Sequence, residues 1–395
     1  MSSLSINKNE FQKFIIYFIL FDLLFLPYFQ LILFPISLPI LFIYFLIGGF
    51  KVYYDFNFKI WIFFLIISIL SLINGYLFYE YLTKYFFENI KYIILLASSI
   101  LYLFFIYYSE NKVNINIINL ILKIFIVYIF ILTVTLLIDP QLVFKYITTF
   151  YGRTASSMDE FILSLRFEYL FQDPNTLAYF VLLILGFLFH NYNKKLQLLL
   201  FTIFVLFIII MTQSTGGLLS FILMCLIYTF KNVLKTSFVL KILILSFTVI
   251  LFVSSFFLVF YLKDENIFFS YFYNRIFESD ERISSGGGRL NIWAQLFYMF
   301  PLPIGRGYNL YIPEISGIRS PHSDFFGMIF RYGFLSLLPI IYFFYKKLRS
   351  CYYILIPAMI TFFINSLFDS QKLLILFFIL TVISHKYYLK KLSDD

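Results

Sequence analysis

Long apolar runs follow one another along almost the whole chain and constrain its fold more than any other feature. A helix needs about 20 predominantly apolar residues to cross the hydrocarbon core of a bilayer. Charged residues make up 13% of this chain, whereas soluble domains carry about 25%. The sequence therefore predicts an all-α integral membrane protein, with residues 1–395 forming one polytopic domain.

Runs of suitable length predict about twelve transmembrane helices. They lie at about 12–31, 34–50, 59–77, 89–108, 115–138, 174–191, 195–212, 215–230, 236–262, 324–345, 351–368 and 371–387. Two longer polar segments remain, at about 139–173 and 263–323. The second is a large loop between the ninth and tenth predicted spans. The aromatic content, 57 Phe and 33 Tyr, is typical of an A/T-rich genome, so aromatic clusters are not interpreted as signals.

Lysines near the span ends predict the orientation, because cytoplasmic connections carry an excess of positive charge. With the N-terminus in the cytoplasm, the short outer connections hold only Lys84, Lys91 and Lys372. Both termini are then cytoplasmic and both long loops are extracytoplasmic. Of nine arginines only Arg349 is cytoplasmic. The others are Arg153, Arg166, Arg275, Arg282, Arg289, Arg306, Arg319 and, two turns into the tenth span, Arg331.

Arginine on the outer face suggests phosphate binding, because its planar guanidinium makes paired hydrogen bonds to phosphate oxygens. Ion pairing with neighbouring loop acids is the alternative. Arg289 follows three glycines and opens a run with apolar residues at helical spacing, which are Leu290, Trp293, Phe297 and Phe300. This pattern predicts an amphipathic helix on the membrane surface, whose N-terminus suits an anion. A plain surface helix is the alternative.

Two further motifs precede or open the tenth predicted span. Gly305-Arg306-Gly307 predicts a turn that allows close backbone approach. His322 is the only histidine predicted outside, and Ser323 or Asp324 can cap the next helix. Adjacent His, Ser and Asp residues cannot form a catalytic triad.

The sixth predicted span opens with a capping motif. Asp173 and Pro174 fit the N-cap and the first helical position, which leaves Arg166 and Asn175 unexplained. The run 214–217, Ser-Thr-Gly-Gly, predicts a tight turn between the seventh and eighth spans.

Taken in order, these pieces resemble the O-antigen polymerase and ligase family of bacterial surface-polysaccharide assembly, over about residues 160–345. The matching pieces are an Arg followed by DPN, a Ser-x-Gly turn, GRLNIW, GRG, a histidine that opens the next span, and RYGF. Two positions depart from the pattern: Thr215 stands where the family usually carries arginine, and Ser323 where asparagine often follows the histidine.

The resemblance implies a metal-independent, inverting glycosyltransferase of the bacterial inner membrane, with no cofactor and its site on the periplasmic side. Arg166 and Arg289 become pyrophosphate ligands, and His322 becomes the base that activates the acceptor hydroxyl. Arg306, Arg319 or Arg331 would replace the arginine missing at Thr215. The remaining predicted substrate contacts are Asn175 and Trp293. The implied partners are an undecaprenyl-pyrophosphate-linked oligosaccharide, the lipid bilayer and a chain-length regulator protein; the +9 charge is not attributed to nucleic acid.

Three functions fit this resemblance. A polymerase would join lipid-linked repeat units of O-antigen or capsule, whereas a ligase would move finished glycan to a lipid or protein acceptor. The arginine missing at Thr215 favours the polymerase slightly. A flippase or transporter of the same glycan should carry charges within its spans, and the predicted spans hold almost none.

Overall fold

The computed structural model describes most of the chain outside the large loop. The described residues are 8–28, 34–47, 55–78, 82–109, 113–152, 157–164, 166–171, 173–192, 194–233, 261, 303–305, 307, 310–312, 317–319, 323–365, 367–368 and 370–394. The chain divides into two compact units. Unit 1 comprises Met1–Phe125 and Gln295–Asp395, and unit 2 comprises Ile126–Ala294.

Unit 1 is built mainly from apolar helices. They are α1 (Lys8–Phe25), α2 (Ser37–Leu46), α3 (Phe56–Phe78), α4 (Leu82–Tyr108), the first half of α5 (Ile115–Ile138), α11 (Asp324–Arg331), α12 (Leu337–Ile364) and α13 (Gln371–Asp394). Two short antiparallel strands, β1 (Leu310–Ile312) and β2 (Gly317–Arg319), add a small hairpin that the sequence did not predict. The all-α membrane fold is otherwise confirmed.

In its described residues, unit 2 contains the second half of α5 and five more helices. They are α6 (Pro140–Tyr151), α7 (Met158–Ser164), α8 (Pro174–Asn191), α9 (Lys195–Thr212) and α10 (Thr215–Val233). An Asp-Pro pair begins both α6 and α8. In each pair the aspartate carboxylate accepts a hydrogen bond from the first turn, and proline occupies the first helical position. The predicted capping of the sixth span is therefore confirmed.

The predicted spans agree with the structure to different degrees. Those at 115–138, 174–191 and 195–212 coincide with helices to the residue. Within the described part of the chain, seven helical segments are long and apolar enough to cross a membrane, of which Phe334–Ile364 reaches that length only across a bend at Cys351. Helix α2 has only 10 residues, which is too short to cross. The predicted ninth span at 236–262, apart from residue 261, lies outside the described residues.

The tenth predicted span, 324–345, is wrong as a single helix. Helix α11 ends at Arg331, and Gly333, with φ +90°, separates it from α12. A residue in that conformation cannot continue a right-handed helix. Hydropathy alone does not show the interruption, because the residues on both sides are apolar.

Helix α12 also departs from a straight rod. Its backbone leaves the helical region at Cys351, with φ −136° and ψ 23°. A straight helix would separate Phe344 from Phe362 by about 27 Å, yet their ring centroids lie 6.2 Å apart. The chain therefore folds back sharply at Cys351 into two legs, 337–350 and 352–364. The second leg overlaps the predicted eleventh span.

A buried ion pair joins α1 to α13. Lys372, predicted in an outer connection, is instead the second residue of α13 and is fully buried. Its Nζ donates to the main-chain oxygens of Asp22 (2.9 Å) and Leu26 (2.6 Å) and lies 3.9 Å from the Asp22 carboxylate. Buried charges persist only when they are paired and hydrogen-bonded. The expectation of nearly uncharged helices is therefore wrong at this position.

Candidate functional site

Arg166 occupies a defined position in unit 2, just before α8. Its half-buried guanidinium donates through Nε to the carbonyl of Thr212 (3.0 Å), the last residue of α9, and through Nη2 to Asn175 Oδ1 (3.3 Å). The Asn175 amide nitrogen donates to Asp173 Oδ1 (2.9 Å). The amide is thus oriented with its oxygen toward Arg166 and its nitrogen toward Asp173. A cation at a helix C-terminus is also stabilised by the helix dipole.

A turn separates α9 from α10 as predicted, but it comprises Gln213 and Ser214, and residues 215–217 form the first turn of α10. Gln213 ends α9 in the left-handed region, with φ +52°, and the Ser214 hydroxyl accepts from the Gly217 N–H (3.1 Å). Thr215 is the first residue of α10 and is exposed. The position where the resembling family carries arginine therefore lies at an exposed helix N-terminus.

Two glycines bring the first turn of α10 against α8. A Cβ at Gly216 would stand 2.2 Å from the Tyr179 hydroxyl, and one at Gly217 would stand 2.8 Å from the Ala178 Cβ. The N-termini of α8 and α10 therefore begin at the same end of unit 2. Helix N-termini attract anions. We call this group, Arg166 with 173–175, Thr212 and the first turn of α10, the Arg166 corner.

In unit 1, the predicted Gly-Arg-Gly turn is held through the main-chain atoms of its glycines. We call Gly305, Gly307 and Gly333, which packs against Gly305, the glycine clamp. The Gly305 N–H donates to the Ser71 hydroxyl (3.1 Å), the Gly305 carbonyl accepts from Asn74 Nδ2 (2.9 Å), and the Gly307 N–H donates to the Arg331 carbonyl (2.7 Å). Gly307 has φ +72°, and a Cβ there would stand 2.4 Å from the Ser71 carbonyl. The close backbone approach that the glycines allow is therefore made, in the described residues, by this chain itself.

Asp324 has a role that differs from capping its own helix. Ser323 occupies the N-cap position of α11, but its side chain makes no capping hydrogen bond. The buried Asp324 carboxylate instead accepts from the N–H groups of Leu367 and Phe368 (2.9 Å for the latter), and the Asp324 N–H donates to the Asn365 carbonyl (3.1 Å). Asp324 thereby fixes the connection between α12 and α13.

Arg331 ends α11 and is buried, with 7% of its surface exposed. Its guanidinium carbon lies 4.7 Å from the centroid of the Tyr92 ring and 5.8 Å from that of Tyr332. Cation–π contacts of this kind stabilise an arginine side chain between aromatic rings. Arg331 is therefore packed within unit 1.

Several predicted site residues lie outside the described part of the chain. They are His322, Arg289, Arg306 and Trp293. The backbone of Arg319 is described as the last residue of β2, where it pairs with Leu310. The substrate contacts proposed for all of these residues, as for Arg166, Asn175 and Arg331, stay predictions.

The sequence did not identify the groups that hold the candidate residues. Ser71 and Asn74 bind a segment more than two hundred positions away, and no local pattern indicates such a contact. Thr212 contributes a main-chain carbonyl, which any residue carries. The DPN spacing was the one available signal, since an amide two residues after an N-cap aspartate can reach its carboxylate.

Comparison with known families bears on the same region. Residues 198–341 match the family model described as O-antigen ligase. The match extends from α9 into α12, covers about a third of the chain and confirms the resemblance over that segment. Arg166 and Asn175 precede the matched segment. The chain is a multi-pass membrane protein, and no curated protein and no solved structure matches it.

Proposed function

We propose that the protein is a membrane glycosyltransferase that polymerises oligosaccharide repeat units carried on undecaprenyl pyrophosphate, for O-antigen or capsule. The acceptor hydroxyl attacks the anomeric carbon of the donor sugar, the bond to the pyrophosphate oxygen breaks, and the sugar configuration inverts. The lipid pyrophosphate leaves with the electron pair of the broken bond. No metal or cofactor takes part in this scheme.

The Arg166 corner is the observation that carries this proposal. A leaving pyrophosphate needs positioned donors for its negative charge, and preorganised donors of this kind contribute strongly to catalysis. Arg166 is held by the Thr212 carbonyl and by Asn175, at the end of unit 2 where α8 and α10 begin. Both the guanidinium and the helix N-termini favour an anion there.

His322 is assigned as the general base, and this assignment rests on the resemblance. A neutral imidazole takes the proton of the acceptor hydroxyl as the new glycosidic bond forms. Arg289, Trp293, Arg306 and Arg319 complete the proposed substrate contacts on the periplasmic side. A chain-length regulator would control how often the reaction repeats.

Transfer of finished glycan to another acceptor is the second candidate, because the matched family model is described as O-antigen ligase. Both reactions use the same donor chemistry and the same departing pyrophosphate. The two reactions differ only in the molecule that supplies the acceptor hydroxyl. An assay of which acceptor the protein needs therefore distinguishes the polymerase from the ligase.

The test uses the full chain reconstituted in vesicles with a labelled lipid-linked repeat unit. We expect a ladder of products in the absence of any other acceptor, and only the unreacted repeat unit for His322→Ala. Transfer that requires an added core glycolipid would instead establish the ligase. If the folded protein makes neither product with either acceptor, glycosyl transfer from this donor is excluded.

A further inference from the structure

Helix α6 begins where a membrane-crossing helix ends. Helix α5 has 24 residues, about 36 Å, which exceeds the roughly 30 Å thickness of the hydrocarbon core. Only Asp139 separates its last residue, Ile138, from α6, and the Asp139 carboxylate caps α6 by accepting from the Leu142 N–H (3.0 Å). The start of α6 therefore lies at the boundary of the membrane.

A chain of tyrosine hydroxyls holds α6 close to α5. Tyr128 of α5 bonds to Tyr146 (2.8 Å) and Tyr151 (3.0 Å) of α6, and Tyr151 bonds to Tyr169 (3.0 Å). Tyr128 lies ten residues before the end of α5, about 15 Å along its axis. These bonds link α6 to the C-terminal half of α5 and keep α6 near the membrane. Burial raises the pKa of Tyr151 and of Tyr169, so these two phenols stay protonated at neutral pH.

The surface of α6 has three distinct faces. The packed face comprises Val143, Ile147 and Tyr151, and the polar face comprises Gln141 and Lys145. A third face carries Leu142 and Phe150, two turns apart, which are 55% and 63% exposed. We call Leu142 and Phe150 the bare apolar face. It lies between the packed face and the polar face on the helix circumference.

We infer that α6 is an interfacial helix whose bare apolar face rests in the lipid bilayer, among the acyl chains just below the headgroups. An apolar face beside a polar face is the arrangement that lies in the plane of a membrane interface. Apolar residues are also exposed on α5, the preceding membrane-crossing helix, where Ile131 is 56% and Ile138 79% exposed.

Charge and size favour lipid over a protein partner. Lys145 is exposed on the polar face and α6 carries no acidic residue in its first turn, so the helix suits lipid phosphates. Two large side chains bury at most about 500 Å². A stable protein interface buries about 800 Å² on each partner. Tyr146 is of a residue type that is enriched at membrane interfaces, and Leu and Phe are typical of the apolar face of interfacial helices.

This assignment does not depend on glycosyl transfer, but it has a consequence for the Arg166 corner. The bond between Tyr151 and Tyr169 ties α6 to the segment that carries Arg166, which lies three residues earlier. Tyr169 itself has φ +51° and is fully buried, so this segment has little room to shift. If α6 rests in the lipid, it thus fixes the distance of the Arg166 corner from the membrane surface.

The test compares neighbouring positions on the two faces. Leu142→Cys and Phe150→Cys report on the bare face, and Gln141→Cys and Lys145→Cys report on the polar face. The background is Cys225→Ser, with the fully buried Cys351 left in place. Each variant receives a nitroxide label and is reconstituted in vesicles. The label is then exposed to oxygen, which concentrates in lipid, and to a nickel chelate, which stays in water.

We expect the ratio of oxygen to nickel collisions to be several-fold higher at 142 and 150 than at 141 and 145. Equal and high nickel access at all four positions would place α6 in water and overturn the inference. Low access of both reagents at 142 and 150 would also overturn it, because a protein surface, from this chain or a second copy, would then cover the face. Background labelling is checked on the Cys225→Ser parent.

Discussion

Arg166 and Arg331 were both predicted to bind pyrophosphate, but the protein holds them in different ways. Arg166 is half-buried and fixed by hydrogen bonds to the Thr212 carbonyl and Asn175. Arg331 is buried and lies over the Tyr92 ring, and its carbonyl supports Gly307. Hydrogen bonds fix the direction in which a guanidinium group presents its N–H groups. Contacts with aromatic rings mainly pack the side chain in place. The difference favours Arg166 as a substrate ligand and gives Arg331 a packing role in unit 1.

The largest effect is expected at Arg166. Arg166→Lys keeps the charge, but a lysine cannot bind the Thr212 carbonyl and Asn175 through one rigid fork and still present donors to phosphate. Losing one preorganised donor typically lowers a rate about 10²–10³-fold. We therefore expect transfer to fall about 100-fold or more while the protein inserts normally. Transfer from the labelled donor measures this, and a near wild-type rate would remove Arg166 from the site.

Gly333→Ala should damage the folded state of unit 1. Gly333 has φ +90°, and a Cβ there would stand 2.2 Å from the Pro303 carbonyl. Such a conformation costs a non-glycine residue about 1–3 kcal/mol before any clash is counted. The expected result is a clearly lower melting temperature in detergent and reduced transfer. Gly152→Ala is the control: Gly152, with φ +65°, ends α6 at an exposed position. Equal loss in both variants would argue against the clamp.

Asp324→Asn tests how the end of unit 1 next to His322 is held. The carboxylate accepts from the Leu367 and Phe368 N–H groups, and an amide cannot match both with the same charge-assisted strength. Hydrogen bonds to charged groups contribute about 1.5–3 kcal/mol. We expect the free energy of unfolding to fall by about that amount. Asp159→Asn, at an exposed position in α7, should change stability little. No difference between the two variants would contradict the role of Asp324.

The smallest effect is expected for Arg331→Lys. A lysine can keep a cation over the Tyr92 ring, and cation–π contacts contribute only about 0.5–2 kcal/mol. Transfer should therefore stay within a few-fold of wild type, in contrast to Arg166→Lys. The two variants are best assayed side by side at matched protein levels. A loss as large as that of Arg166→Lys would show that both arginines contact the substrate.

Apolar run length predicted much of the fold, and it did so best where polar residues mark the ends. Asp173-Pro174 marks the start of α8 and Lys195 the start of α9, and both helices were predicted to the residue. The fold-back at Cys351 agrees with the predicted break between spans 324–345 and 351–368, which Lys346, Lys347 and Arg349 mark. The interruption at Gly333 was not predicted, because apolar residues continue on both sides of it. Lys372 was misplaced because a lysine near a helix end can equally cap a neighbouring helix inside the protein.

The site was predicted less completely than the fold. Sequence order identified Arg166 and Asn175 as belonging together, and the structure brings them within hydrogen-bond distance. The partners that position them, a carbonyl at Thr212 and the capping carboxylate of Asp173, depend on where helix ends meet in space. The hydroxyl chain through Tyr128 was missed because the high aromatic content of the chain hides individual clusters.

The glycine clamp has a consequence for how this protein can diverge. Gly305 and Gly307 are anchored largely through main-chain atoms, with Ser71 and Asn74 on α3 as the side-chain partners. Such an anchor does not depend on which side chain stands at position 306 between them. Residues there can be exchanged during evolution, or by a protein engineer who grafts another loop, while the attachment of the segment to α3 is retained. New substrate preferences can then arise without refolding the helices.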